Sequence, residues 1–143
     1  MSQPFRWRMR VRYNEVDAQA LVYFAQHLTY YDNAITEFLR SLSFDLFGYA
    51  RTSGLDFNVV HAEVDFARPV RLDDVLDVAV GVARLGTSSV TFATTLHPAD
   101  SDDVLSRGSV VWVHADQGTM RSTPIPDDLR RRLARHLSTP AEQ

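Results

Sequence analysis

The strongest constraint on the fold is that only one long segment of this chain has helical periodicity. Its apolar residues recur at steps of three and four, which predicts an amphipathic helix of about four turns or more. The stripe is wide, so most of this helix is expected to be buried; its members are Leu28, Tyr31, Ala34, Ile35, Phe38, Leu39 and Leu42. The remaining elements must therefore supply the layer that covers it.

Five other segments have strand-like patterns. Four alternate between apolar and polar residues, which is typical of strands with one buried face, and the last has apolar residues on both faces, which predicts cover on both. They lie at residues 5–13, 57–66, 75–83, 87–96 and 104–115, with turn residues between them. Residues 44–54 are predicted to form a turn or a short helix, and residues 127–137 a last helix whose acids precede its bases. This order predicts an α+β domain in which a curved antiparallel sheet of about five strands wraps one long helix, the hotdog fold.

The size and composition of the chain exclude several classes of protein. Its 143 residues fit a single domain over residues 1–143, and a net charge of -3 gives no support for nucleic-acid binding. There is no cysteine, which excludes disulfides, thiolate nucleophiles and cysteine-bound zinc. The histidines lack metal-ligand spacing, so neither a metal nor another cofactor is expected. Without an apolar stretch of signal-peptide or membrane-span length, a cytoplasmic protein that does not bind membranes is expected.

Chemistry is expected in the loop between the first strand and the long helix. Glu15 and Asp17 place two carboxylates there, and strand-like alternation from Tyr13 predicts that both side chains lie on one side. The backbone N–H groups at the start of the next helix lack intrahelical partners and attract negative charge. Capping and solvation explain most aspartates before helices, but Asp17 lies too early to cap a helix that begins near Phe24. Asp17 is therefore a candidate catalytic carboxylate.

The same loop resembles a motif of the 4-hydroxybenzoyl-CoA thioesterase family, whose members have the hotdog fold. Members commonly read R-Y-x-E-T-D-x-x-G-V-V-Y-H-A-N-Y-L-x-Y-F-E-x-A-R, and this chain has matching residues at Arg12, Tyr13, Glu15, Asp17, Val22, Tyr23, Ala25, Leu28, Tyr30 and Ala34. Two weaker similarities follow in the family's order, at residues 66–74 and 120–126. The resemblance covers nearly the whole chain and implies an acyl-CoA thioesterase that needs no cofactor.

The departures from this motif concentrate around the start of the helix. Phe24 replaces the family's histidine, and Gln26 and His27 replace its asparagine and tyrosine. Val16 replaces the threonine before the aspartate, and residues 19–21 lack the family's glycine. These changes indicate a different subfamily or a different acyl preference, and they leave open whether the activity is retained.

The resemblance implies how the loop acts on a thioester. Asp17 is the expected catalytic residue, either as the nucleophile that forms an acyl anhydride or as the base that activates water. The backbone amide of Phe24 is the expected oxyanion donor, and that of Ala25 is the second candidate. A backbone donor tolerates the replacement of the family's histidine by phenylalanine. The substrate is expected to be a thioester of CoA or of acyl carrier protein.

Several further residues are candidates for binding the substrate: Tyr23, Ala25, His27, His61, Glu63 and Arg68. His27, in the first helical turn, faces either the acyl pocket or solvent, where it would act as a cap. His61 and Glu63 share a strand face and form either an acid/base pair, as a hotdog hydratase or dehydratase requires, or an interface hydrogen bond. Arg68 is either a ligand of the CoA phosphates or a solvated surface residue. Phe24 in place of histidine supports a third possibility, a non-catalytic acyl-thioester-binding protein.

Assembly with further copies of the chain is also expected. A single hotdog unit leaves a sheet edge and the outer face of the sheet exposed, which favours pairing. The family forms dimers with two sites at the interface, often stacked as tetramers. The resemblance therefore implies a homotetramer, or at least a dimer.

Overall fold

The computed structural model describes residues 4–138 of the chain. The bounds of its helices and strands are β1 Phe5–Arg10, α1 Gln26–Ser41, α2 Leu46–Ser53, β2 Leu55–Phe66, β3 Val75–Leu85, β4 Ser89–Pro98, β5 Ser106–Asp116 and α3 Asp127–Ala134. The strands form one antiparallel sheet in the order β1-β3-β4-β5-β2. This arrangement confirms the predicted α+β class and the hotdog architecture, with one long helix against a five-stranded sheet.

Helix α1 is buried along one face because its apolar stripe lies across the inner face of the sheet. Tyr31 and Phe38 are fully buried, and the Phe38 ring meets the Phe92 ring edge-on at 6.2 Å. The sheet supplies a matching set of buried side chains, namely Val78, Val80, Val82, Phe92, Leu96, Val110 and Trp112. Burial of one such side chain contributes roughly 1.5–3 kcal/mol, so the packing of α1 supplies a large part of the fold's stability.

The helix and two strands approach one another closely at Gly108 of β5. A Cβ atom added at Gly108 would meet the backbone carbonyl oxygen of Glu63 on β2, and it would lie 2.8 Å from Cε2 of Tyr31 on α1. Gly81 on β3 differs, because a Cβ atom added there would meet no atom within 4 Å. The absence of a side chain at Gly108 therefore allows α1, β2 and β5 to come together.

We predict that Gly108→Ala destabilises the protein by about 2 kcal/mol or more, because the added methyl group forces backbone or a packed tyrosine ring to move. Gly81→Ala is the matched control, and its free energy of unfolding should change by less than about 0.5 kcal/mol. Urea unfolding of both variants measures the difference. Equal stabilities would contradict the close approach at Gly108.

Strand β1 ends before the position that the alternation predicts, because residues 13–15 form a 3-10 turn. Glu15 holds this turn, since its Oε1 accepts hydrogen bonds from the Arg12 amide at 2.8 Å and from the Tyr30 hydroxyl at 2.9 Å. The side chain of Glu15 thus reaches back to α1, whereas Asp17 lies in the next turn of the loop. The prediction that Glu15 and Asp17 share one side was therefore wrong, because the loop is not extended.

The other elements lie close to their predicted positions. Each end of strands β2 to β5 falls within two residues of the expected position, and α2 forms within residues 44–54. Helix α1 begins at Gln26 and has 16 residues, and α3 ends at Ala134, before the predicted residue 137. Over residues 4–138, the helices do not combine the length and apolar character that crossing a bilayer requires.

Strand β2 forms one edge of the sheet, and no strand of the described chain pairs with its far side. It has 12 residues, and a bulge interrupts its pairing with β5 between Val59 and His61. Val59, Val60 and Phe66 expose 57%, 59% and 52% of their surface along this edge. A long edge strand with exposed apolar side chains favours pairing with another chain.

Candidate active site

The loop that holds Asp17 is folded by its own hydrogen bonds. The Asp17 amide donates to the carbonyl oxygen of Leu21 at 2.8 Å. Oδ1 of Asp17 accepts from the amides of Gln19 at 2.8 Å and Leu21 at 3.3 Å. Oδ2 has no hydrogen-bond partner in the part of the chain that the structure describes. The turn therefore orients the carboxylate and leaves one oxygen free.

Helix α1 is preceded by two backbone amides, those of Phe24 and Ala25, that have no acceptor among residues 4–138. The neighbouring amides are paired, since Tyr23 donates to the carbonyl oxygen of Glu15 at 2.9 Å and Gln26 to that of Tyr23 at 2.8 Å. Free N–H groups at a helix start carry partial positive charge. The two amides can therefore donate to an oxygen that gains negative charge during a reaction.

A cavity of about 520 Å³ lies between this loop, the start of α1 and the segment after β2. Its lining is largely apolar and consists of Asp17, Leu21, Val22, Tyr23, Phe24, His27, Phe66, Ala67, Arg68, Pro69 and Val70. The volume is in the range of small-molecule sites, roughly 300–1,000 Å³. The fold thus brings five of the predicted site residues around one space: Asp17, Tyr23, Phe24, His27 and Arg68.

Three predicted site residues, Ala25, His61 and Glu63, do not line this cavity. His61 and Glu63 project from the outer face of β2, away from α1, and their Nε2 and Oε2 atoms are 3.7 Å apart. Glu63 also accepts a hydrogen bond from the Ser109 hydroxyl at 3.1 Å. Within one chain, the sheet separates this pair from the cavity, so the structure does not bring it together with Asp17.

His27 is a buried part of the cavity wall, with 3% of its surface exposed. Its Nδ1 lies 2.8 Å from the hydroxyl oxygen of Ser106 on β5, and its ring meets the Phe66 ring edge-on at 4.8 Å. Burial lowers the pKa of His27 to about 4, so the imidazole is neutral at pH 7. Of the two alternatives for His27, its position favours the cavity wall over solvent.

Ser106 is a residue of the site that the sequence pattern did not indicate, and it is fully buried at the start of β5. Its hydroxyl contacts both the His27 ring and, at 2.6 Å, the Tyr31 hydroxyl. The available signal was a serine at an inward position of β5, two residues before Gly108 and on the same face as the buried Val110 and Trp112. A buried hydroxyl requires hydrogen-bond partners, which the packing of α1 supplies.

The chain is similar to proteins of one family along most of its length. Residues 11–133 match the model of the thioesterase-like superfamily. This chain belongs to that superfamily. The match includes the Asp17 loop, α1 and the whole sheet except β1, so the cavity lies entirely within the family domain.

Individual relatives of this superfamily member are similar over different shares of the chain. A putative esterase of Aquifex aeolicus is 32% identical over 97 residues, which are 68% of this chain and 75% of that protein. The acyl-CoA thioester hydrolase YbgC of Escherichia coli O6:H1 is 29% identical over 125 residues, or 87% of this chain and 92% of that protein. Slr0204, a 1,4-dihydroxy-2-naphthoyl-CoA thioesterase from Synechocystis, has the same fold, with a TM-score of 0.86 at 21% identity over 92% of this chain and 96% of that one.

We predict that acid destabilises this superfamily member through His27. The folded-state pKa of about 4 lies below the usual value of 6.5, so between these values the unfolded chain binds a proton that the folded chain does not. This contribution to stability is complete above pH 6.5 and decreases as the pH falls towards 4, and the loss amounts to about 2 kcal/mol at pH 5. Urea unfolding of the wild type and of His27→Gln at pH 7.5 and pH 5 measures it.

The control for this prediction is His61→Gln, because His61 is exposed on the outer face of the sheet. The free energy of unfolding of His61→Gln should decrease between pH 7.5 and pH 5 as much as that of the wild type. In His27→Gln this decrease should be much smaller. Asp77 acts at lower pH: hydrogen bonds from Arg8 lower its pKa below 3.8, so its contribution is lost only as the pH falls through that lowered value. Identical pH profiles for wild type and His27→Gln would contradict the assignment to His27.

Proposed function

We propose that this protein is an acyl-CoA thioesterase that hydrolyses a thioester to a free acid and CoA. The observation that carries the proposal is that the Asp17 carboxylate and the unpaired amides before α1 meet at one cavity with an apolar wall. The names of the relatives in the same superfamily, an acyl-CoA thioester hydrolase among them, agree with this chemistry. CoA is the proposed carrier of the acyl group, and acyl carrier protein is the alternative carrier.

In this proposal the start of α1 stabilises the charge that develops on the thioester oxygen. Attack on the carbonyl carbon moves an electron pair onto that oxygen, and the Phe24 amide donates a hydrogen bond to it, with the Ala25 amide as the second donor. When the carbonyl reforms, the carbon–sulfur bond breaks and the CoA sulfur leaves and takes up a proton. Because the donor is a backbone group, phenylalanine can replace the family's histidine without loss of this function.

Asp17 supplies the attack by one of two routes. As a nucleophile, its free Oδ2 forms an anhydride with the acyl group and expels CoA, and water then hydrolyses the anhydride. As a general base, the same oxygen takes a proton from the attacking water. Both routes need a carboxylate with one free oxygen, and the hydrogen bonds from Gln19 and Leu21 to Oδ1 provide this orientation.

We predict that Asp17→Asn loses about 100-fold or more in kcat while the protein stays folded. Asparagine keeps an acceptor oxygen for the Gln19 and Leu21 amides, so the loop is retained while the charge and the nucleophile are removed. Thiol release from a panel of aromatic, short-chain and long-chain acyl-CoA esters measures turnover. Near-normal turnover by the variant would refute the role of Asp17.

The matched control is Glu15→Gln, because Glu15 is the other carboxylate of the loop and bonds to Arg12 and Tyr30 outside the cavity. It should lower stability and keep most of the turnover. The same panel tests the alternatives: hydration of enoyl-CoA by the wild type would favour a hydratase, and binding without thiol release would favour a non-catalytic acyl-binding protein.

We also propose that two copies of the chain pair along the β2 edge and that dimers stack into a tetramer. Support comes from the exposed Val59 and Val60 on this edge and from Phe24 and Phe66, which are exposed beside the cavity and pack against each other at 6.5 Å. A second copy would cover this apolar surface and close the open side of the cavity. The outer face that carries His61 and Glu63 would then lie close to the dimer boundary.

We predict that Val60→Lys dissociates the dimer and abolishes most of the turnover, because a charged side chain on a pairing edge must be desolvated or splayed out. Met120→Lys is the matched control, since Met120 is similarly exposed (60%, against 59% for Val60) but lies in the loop after β5, outside the β2 strand. Sedimentation velocity at micromolar concentration measures the assembly. A wild-type monomer, or a Val60→Lys dimer, would refute pairing through this edge.

A further inference from the structure

A row of buried polar groups connects the interior of the sheet to the cavity. Tyr31, Ser106 and His27 are each at most 3% exposed. The Tyr31 and Ser106 hydroxyl oxygens are 2.6 Å apart, and the Ser106 oxygen is 2.8 Å from Nδ1 of His27. The row begins among apolar side chains below α1 and ends at the cavity wall, where His27 takes the place of the family's tyrosine.

The hydroxyl protons in this row determine which nitrogen of His27 carries its proton. Burial raises the pKa of Tyr31, so the phenol keeps its proton, and Ser106 is the hydrogen-bond partner that the described residues offer it. If Tyr31 donates to Ser106, the Ser106 proton is left to donate to Nδ1 of His27. Nδ1 is then the acceptor, and the ring proton lies on Nε2.

The opposite direction of donation leaves a buried proton without an acceptor. If Nδ1 donated to Ser106 and Ser106 to Tyr31, the Tyr31 proton would have to go elsewhere, at a cost of about 1–3 kcal/mol if unpaired. Besides Ser106, the hydroxyl near the Tyr31 phenol is that of Thr94, and the Thr94 oxygen has no hydrogen-bond partner at normal distance. No hydrogen bond of normal length joins Thr94 to the phenol, so Thr94 does not take up the Tyr31 proton.

In this tautomer Nε2 of His27 carries the ring proton, and this atom has no protein hydrogen-bond partner among residues 4–138, although the residue lines the cavity. The cavity wall is largely apolar and includes Leu21, Val22 and Phe66, whose ring packs against the His27 ring. A donor in such a wall binds water when the cavity is free, and a ligand that displaces this water must offer an acceptor or lose the hydrogen bond.

We propose that His27, with its proton held on Nε2 by Tyr31 and Ser106, is a specificity-determining residue that donates a hydrogen bond to an oxygen atom on the acyl group of the substrate. The site then prefers acyl groups that carry an uncharged oxygen substituent over the corresponding hydrocarbons. An uncharged acceptor suits the imidazole, because burial keeps His27 neutral at pH 7. This inference rests on the proposed thioesterase function for the identity of the ligand, but not for the state of His27.

The first test measures the position of the proton and needs no substrate. Long-range ¹H–¹⁵N correlation spectra of the full-length protein at pH 7.5 distinguish the two neutral forms of a histidine ring. We expect the Nε2–H form for His27 in the wild type, and a mixture of both forms in Ser106→Ala, where Nδ1 loses its donor. An Nδ1–H form in the wild type would overturn the inference.

The second test compares non-hydrolysable thioethers by calorimetry, S-benzyl-CoA against its hydroxybenzyl analogues with the hydroxyl at each ring position. We expect at least one hydroxylated analogue to bind the wild type roughly 10- to 100-fold more tightly, the scale of one unpaired buried donor. His27→Phe should remove this preference, whereas Met120→Phe, which adds the same ring outside the cavity, should keep it. A preference that is absent from the wild type, or that survives in His27→Phe, would overturn the inference.

The two proposals fail in different ways. Thiol release by the wild type without any preference for oxygenated acyl groups would overturn the role of His27 alone. A preference that depends on His27, in a protein that releases no thiol, would support this role and overturn the thioesterase proposal. If His27→Phe does not fold, the spectra of the wild type and the affinities of Ser106→Ala still test the role of His27. Loss of the fixed tautomer in Ser106→Ala should weaken its preference for the hydroxylated analogues.

Discussion

The packing of α1 across the inner face of the sheet is the constraint on which the other features depend. The helix approaches β2 and β5 closely because Gly108 presents no side chain to Tyr31 or to the Glu63 carbonyl oxygen. This packing sets the position of the first turn of α1. The unpaired amides before the helix and the buried ring of His27 are consequences of where that turn lies relative to β5.

Two carboxylates that are neighbours in sequence have different physical roles because a 3-10 turn lies between β1 and the loop. Glu15 is used within the fold, since both the Arg12 amide and the Tyr30 hydroxyl donate to its Oε1. Asp17 has one oxygen held by its own loop and one oxygen free at the cavity. A carboxylate whose acceptor capacity is only partly used within the fold is available for chemistry, and this distinction supports Asp17 as the proposed catalytic residue.

The buried row from Tyr31 to His27 shows how a core interaction can determine the chemistry of a surface cavity. A hydroxyl below the helix orients a second hydroxyl, which in turn orients the ring at the cavity wall. Low polarity strengthens such hydrogen bonds and makes an unpaired member costly, which favours the direction of donation that leaves no proton unpaired. The acyl preference that we infer therefore originates in the interior of the protein rather than in the residues of the Asp17 loop.

The sequence by itself determined the elements, the α+β class and the family, because these follow from periodicity, turn residues and a local motif. It also predicted Asp17, Phe24 and His27 as site residues, which lie close together in the chain and line one cavity. Only the tertiary structure decided which candidates share a space: it placed His61 and Glu63 on the outer face of β2 and paired His27 with Ser106, which is 79 residues away. Side-chain direction and long-range hydrogen bonds depend on how a helix and a sheet pack, and no local pattern contains that information.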